Sequence, residues 1–276
     1  MKSNSPFQLV EKQGIPMFSI PYFNTTGKVK AYFSTRLGGV SNGECGTMNL
    51  NLFKPKDVDN SKKNMELFCN AIHFDLSRIV TNREKHTDKV RIVSSRDIKP
   101  DLYDESSYLH ADGLITQSKD IFLYGFVSDC ALCYFWDPEH EVIALTHAGW
   151  KGSLNGVLVK TVNMMKAHFD TNPSKLIAAF GPSIGPCCFE VDYPVANLFE
   201  NANSNFHPFI KEPATDDNKY HIDLWRINEI ILLETGLKKE NILSADICTK
   251  CNENLLHSYR RSHGENGVLG AFFRLL

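Results

Sequence analysis

Two residues of the chain pair a thiol with an imidazole across what reads as a single β-hairpin. Cys130 comes just before the apolar run Ala131–Trp136, and His147 follows the run Glu141–Thr146. Asp137-Pro138-Glu139-His140 carries turn-forming residues, so the two runs are expected to fold back on each other. Cys130 and His147 then emerge at the same open end, and each is a good zinc ligand. A catalytic zinc takes three protein ligands and keeps a fourth position open. His86, in Glu84-Lys85-His86-Thr87, is the best candidate for the third. Without metal, Cys130 and His147 would suit a hydrolase as nucleophile and base. Asp129 is placed to orient a ligand or shuttle a proton, or simply to cap backbone groups. Taken singly, each residue also has a plainer reading, the cysteine as a small buried apolar group and the histidines as hydrogen-bonded surface groups.

Gly149 and Gly152 bracket Trp150 and Lys151, and Leu154, Val157, Leu158, Val162, Met165 and Phe169 then repeat at helical spacing over Ser153–Phe169. A lysine delivered at a helix start at Ser153 combines a mobile cation with free N–H groups and the positive end of the helix dipole, an anion site. Arg36 ends the alternating strand Lys28–Ser34, where its planar fork could hold phosphate or carboxylate, or an exposed ion pair. Asn49, beyond the Gly38-Gly39 loop, and Phe189, beyond the rigid Gly181–Cys188 turn, complete the expected substrate contacts.

The elements that must position these groups are strands and helices in no regular βαβ period. Met1–Thr26 reads as a leader segment with an edge strand around Met17–Ile20. Asp59 or Asn60 caps a helix whose apolar face holds Met65, Phe68 and Ile72. Strands are expected at Arg78–Thr81, Lys89–Ser94, Ala111–Thr116, Ile121–Val127, Lys175–Phe180, Ile242–Ile247 and Val268–Leu275. Further helices span Pro194 to Asn201 and Leu224–Thr235, the latter capped by Asp223 and stopped by Gly236. Lys99–Ser107 is an acidic loop that could flank the site, and Ala202–Lys219 a polar surface insertion. The pattern alone gives a mixed α/β chain of one domain.

Several motifs occur in order from about residue 30 to 261: Phe33-Ser34-Thr35-Arg36-Leu37-Gly38-Gly39-Val40-Ser41, Ala111-Asp112-Gly113, Ser128-Asp129-Cys130, His147-Ala148-Gly149-Trp150-Lys151-Gly152, Gly181–Val191 and Asp246–Asn252, followed by Ser258-Tyr259-Arg260-Arg261. By these the chain resembles the YfiH-type family, formerly called multicopper polyphenol oxidases or laccase-domain proteins. The resemblance implies a single-domain layered α/β/β/α sandwich with two mixed sheets over residues 1–276. It implies a zinc-dependent phosphorylase of adenosine, inosine, guanosine and methylthioadenosine that also deaminates adenosine at the same site. His86, Cys130 and His147 match the family's zinc ligands. Peptidoglycan-precursor editing is another activity known in the family. Copper polyphenol oxidation, suggested by the older name, would need many histidines, and of the ten here only His86 and His147 sit in matching motifs.

Composition fits an ordinary globular enzyme. The chain has 276 residues, 42% hydrophobic and 22% charged, enough for a sizeable core. A net charge of −2 argues against nucleic acid as a partner. No apolar run suits a membrane span, and Met1–Ser19 has no signal-peptide core, so a cytoplasmic monomer or small homo-oligomer is expected. Cys130/Cys133 and Cys248/Cys251 each have a two-residue gap, but they lie more than a hundred residues apart, too far for a zinc ribbon. Cys45, Cys69, Cys187 and Cys188 read as reduced thiols.

Overall fold

A computed structural model describes residues 5–53, 57–104, 108, 110–212 and 219–276. The expected roles of residues 1–4, 105–107 and 213–218 lie outside that range. Two six-stranded sheets form the centre. The first contains β1 (Gln8–Lys12), β2 (Ile15–Ser19), β3 (Val29–Ser34), β4 (Ile79–Val80), β7 (Phe122–Val127) and β15 (Leu269–Leu275), in the order β1-β2-β3-β15-β7-β4. The second contains β5 (Val90–Ile92), β6 (Gly113–Thr116), β8 (Ala131–Asp137), β9 (Val142–Ala148), β10 (Ile177–Phe180) and β14 (Ile242–Ser244), in the order β14-β10-β8-β9-β6-β5. Both are mixed: β4 runs parallel to β7, β5 to β6 and β14 to β10, while the other pairs are antiparallel.

Strand periodicity explains the layering. In β8, Leu132, Tyr134 and Trp136 point into the core between the sheets, whereas Ala131, Cys133 and Phe135 point to the opposite face. Both sets are buried, because α4 (Val157–Phe169) and α6 (Leu224–Glu234) cover the outer face of the second sheet. In β15, Ala271 and Phe273 join the central core, and Phe272 faces outward to Phe68 of α2 (Val58–Ile72), the rings stacked with centroids 4.7 Å apart. The order is therefore helix, sheet, sheet, helices, as the resemblance implied. Among the described residues no helix is long and apolar enough to cross a membrane.

Several boundaries differ from the sequence reading, each for a local reason. The leader is part of the first sheet: Phe7, Phe18, Ile20 and Phe23 are buried in the central core, and β2 lies between β1 and β3 rather than at an edge. The expected helix Ser153–Phe169 is two helices, α3 (Trp150–Leu154) and α4, broken where Gly156 takes a φ of +82° that a side chain would resist. Asp57, two residues before the expected Asp59, takes the N-cap position of α2. The insertion after Ala202 carries a buried Phe206 and two short strands, β12 (Ile210–Lys211) and β13 (Lys219–Ile222), which pair with β11 (Glu190–Asp192) into a third sheet. Strands of two to four residues are too short to show alternation in a sequence.

Candidate functional site

The hairpin β8/β9 sets the geometry. Leu132 pairs with His147 and Ala131 with Ala148, so Cys130 lies one step beyond the last pair, beside the end of β9. At the other end, Asp137 steadies the turn by accepting the N–H groups of Glu139 and His140. His86 comes from the loop between β4 and β5, with a φ of +58°, a left-handed conformation costing on the order of 1 kcal/mol or more. Asp112, just before β6, holds that loop. Its carboxylate accepts the N–H groups of His86 (2.9 Å) and Thr87 (2.8 Å) and the Thr87 hydroxyl (2.7 Å). The same carboxylate accepts from His147 Nδ1 at 2.8 Å. One buried aspartate thus orients both histidines.

Donor atoms of His86, Cys130 and His147 all lie within 4.8 Å of one another, with Cys130 Sγ 3.8 Å from His86 Nε2. With Nδ1 engaged by Asp112, His147 presents Nε2 to the site, the arrangement by which a second carboxylate fixes a ligating histidine. Gly149 keeps the front open. A Cβ there would stand 2.9 Å from Cys130 Sγ and 3.0 Å from His86 Cδ2.

The surroundings are electronegative. Burial opposes a charge on His147, which is only 3% exposed, yet Glu84, Cys130 and Asp112 raise its pKa well above the ordinary value. Burial pushes Glu84 up to about 7 against the pull of His147. Burial would also raise Asp112, but hydrogen bonds from His147 and Thr87 bring it down to about 2. Cys130 falls to about 6, because the charge of His147 and the hydrogen bonds of both histidines outweigh burial. A pocket that holds a proton on a buried histidine and favours a thiolate is one in which a divalent cation would be welcome. Two imidazoles and one thiolate match the borderline softness of zinc, and the open side leaves a fourth position.

The remaining expected residues are placed as follows. Asp129 is turned away from solvent chemistry: its carboxylate accepts the Thr249 hydroxyl (2.5 Å) and the Arg260 N–H (2.7 Å), the capping alternative. Ser153 is not a helix start; it is buried in α3 with its hydroxyl near the Ala148 carbonyl, and Gly149 is the N-cap. Asn49 has no exposed surface and spends its amide on Asp57, Asn51 and Val268, so it braces the scaffold instead of touching substrate. Phe189 packs in the outer core under the Arg260 guanidinium. Lys151 is exposed over the Trp150 ring, in a cleft shared with Leu198 and Ala202 of α5 (Tyr193–Ala202). Arg36 lines a different cleft, with Glu44, Glu253 and Arg261, and donates to the carbonyls of Gly46 and Glu253. Burial and the nearby Arg261 charge lower its pKa. The two cations therefore do not share one cleft. Arg261 follows Arg260, whose N–H is held by Asp129, so the arginine cleft is tethered to the residue before Cys130.

Sequence reasoning assigned no role to Glu84, Asp112 or Arg261, and gave Gly149 only a place in the turn that carries Lys151. Each belongs to a segment noted for another residue, and only the spatial contacts reveal what it does.

Fold and site together define a layered α/β protein with a candidate His–Cys–His metal site. Residues 30–275 match the family described as multi-copper polyphenol oxidoreductase laccase, and the chain belongs to it. It is 30% identical over 275 residues to the purine nucleoside phosphorylase YlmD of Bacillus subtilis, covering 99% of this chain and 98% of that one. It is also 30% identical over 189 residues to the adenosine deaminase RL5 of an unknown prokaryotic organism, covering 68% and 71% of the two chains. The crystal structure of the Bacillus licheniformis hypothetical protein YfiH superposes with a TM-score of 0.90 at 28% identity, covering 98% of this chain and 99% of that one.

Proposed function

We propose that the protein is a zinc-dependent purine nucleoside phosphorylase, acting on adenosine, inosine, guanosine and methylthioadenosine, which also deaminates adenosine at the same centre. The observation that carries this reading is the convergence of His86, Cys130 and His147, with Asp112 behind and Gly149 leaving the front open. The names of the relatives supply the reaction class.

When bound, zinc supplies a Lewis acid able to polarise a substrate oxygen or lower the pKa of water. The chain's residues do the rest. Asp112 holds the proton on His147 Nδ1 and leaves Nε2 free to ligate. Cys130 enters as thiolate, favoured by its two histidine neighbours. Phosphorolysis further requires phosphate to be held against a sugar carbon that gains positive charge. Arg36 with Arg261 is the better anion pair, since two guanidinium groups share one cleft, although Glu44 and Glu253 line it too and offset part of their charge. Lys151 remains a candidate from its own separate cleft.

The copper reading finds little support. Among the described residues only two clusters of three or more candidate metal donors occur, and together they contain just two histidines. Cys69, Cys130, Cys133, Cys187, Cys188, Cys248 and Cys251 form no disulfide, which suits a reducing cytoplasm. The test is product analysis of the purified protein with adenosine, with and without phosphate. Adenine that requires phosphate, together with phosphate-independent inosine, supports both activities. Turnover that persists after complete metal removal would instead select a Cys130/His147 hydrolase.

A further inference from the structure

Four cysteines from two distant loops meet on the surface. Cys187 and Cys188 lie in the turn after Gly185-Pro186, and Cys248 and Cys251 in the segment after β14. All four sulfurs lie within 4.8 Å of one another, Cys251 Sγ being 3.5 Å from Cys187 Sγ and 3.4 Å from Cys188 Sγ. Cys187 and Cys188, read as reduced thiols, thus lie beside Cys248 and Cys251, whose neighbours are not Cys130 and Cys133.

The geometry points to a second metal site: we propose that Cys187, Cys188, Cys248 and Cys251 bind a structural zinc ion as a tetrathiolate. Sulfurs at about 2.3 Å from a tetrahedral zinc stand about 3.8 Å apart, close to the separations seen here. A disulfide would need two sulfurs at about 2.05 Å and gives no reason for the other two to approach. The Cys248-Thr249-Lys250-Cys251 spacing is that of a zinc knuckle. The Gly185 N–H donates to Cys248 Sγ at 3.2 Å, an interaction that stabilises a thiolate. Four thiolates this close would repel one another without a cation between them. Zinc removes that repulsion, each ligating thiol giving up its proton to solvent.

The site has a mechanical consequence. Ser183 and Cys248 already form a β-bridge, so the ion would staple two loops whose backbones are in register. Thr249, between the cysteines, donates to Asp129, and Arg260 donates to the Cys188 and Glu190 carbonyls. Zinc at the four sulfurs thus stiffens the segment that carries Asp129 and Cys130. This is independent of the nucleoside chemistry.

The full chain, purified with zinc as the sole added metal, provides the test. Cys130→Ser removes a ligand of the first centre and is expected to retain one zinc per chain. Adding Cys187→Ser and Cys251→Ser to it should remove that ion. In the otherwise native chain, Cys187 and Cys251 are exposed, so alkylation mapped by peptide mass spectrometry reports on them without any substitution. Zinc should slow their alkylation at least tenfold, and a chelator should restore it. Equal alkylation rates with and without zinc, zinc content indifferent to the paired serine substitutions, or a mass two hydrogens low from a disulfide among the four would each overturn the site.

Discussion

The two clusters of candidate metal-binding side chains are built on opposite plans. His86, Cys130 and His147 stand at the ends of central strands and an aspartate-held loop, with a mixed nitrogen and sulfur set open on the Gly149 side. Cys187, Cys188, Cys248 and Cys251 are all sulfur, lie on loops, and close around the centre. Three ligands with a vacant position are the plan of a catalytic zinc, and four thiolates that of a structural one. The difference teaches that donor count and backing, more than the presence of cysteine, separate a reactive centre from a staple.

The largest effect should follow removal of a ligand from the open centre. His147→Ala and Cys130→Ser are each expected to abolish nucleoside turnover and lower zinc content by one equivalent, with the circular dichroism spectrum unchanged. Cys133→Ser should keep both metal and activity, because Cys133 faces the outer core. If Cys130→Ser keeps turnover, the open centre is not the reactive one.

Gly149→Ala probes the open side sterically. Its φ of −67° suits alanine, so the backbone is not strained, but the methyl would meet Cys130 Sγ and His86. Zinc affinity should fall at least tenfold by competition titration while the melting temperature holds. Asp112→Asn probes the backing. Loss of such a partner typically costs about 10- to 100-fold in metal affinity or activity, measured as kcat/KM and zinc Kd.

A selective loss is expected on the phosphate side. Arg36→Ala should reduce phosphorolysis about 10- to 100-fold at subsaturating phosphate, the equivalent of about 1.5–3 kcal/mol, and leave deamination nearly unchanged. Lys151→Ala, in the other cleft, should do less. Equal losses in both reactions would assign these residues to nucleoside positioning or folding.

The last effect concerns acid stability and leaves activity near neutral pH unchanged. His257 is buried neutral, with its pKa pushed down to about 3 by burial and by the charges of Arg36 and Arg261. Below an unfolded pKa of about 6.5 only the unfolded chain takes up this proton, so stability is lost as pH falls from about 6.5 toward 3. The slope approaches about 1.4 kcal/mol per pH unit. His257→Leu should flatten urea-derived stability across that window, and an unchanged slope would exclude His257 as the source.

How much of this was legible in the sequence depended on the backbone beneath each residue. Strands such as β8 and β9 are long enough for alternation and turn chemistry to fix register, so Cys130 and His147 could be paired by reading. His86 was a matter of residue type and motif, because only Asp112, distant in sequence, folds its loop over the site. The helix start expected at Ser153 was misplaced for another reason. The first helix begins at Trp150 behind the Gly149 N-cap, and Gly156 divides it from α4, a break that helical periodicity does not register in a single left-handed residue. Asn49 and Phe189 sat near motif glycines and prolines, yet nothing local distinguishes an exposed ligand contact from a buried brace. The four-cysteine cluster was invisible because its pairing depends on β10 and β14 lying side by side.

The central claim is that His86, Cys130 and His147 jointly hold a zinc ion. Anomalous diffraction at the zinc edge from crystals of active protein addresses it directly. The account predicts a peak about 2.0–2.1 Å from His86 Nε2 and His147 Nε2 and about 2.3 Å from Cys130 Sγ. Active, zinc-supplied protein with no anomalous peak among those three atoms would contradict it.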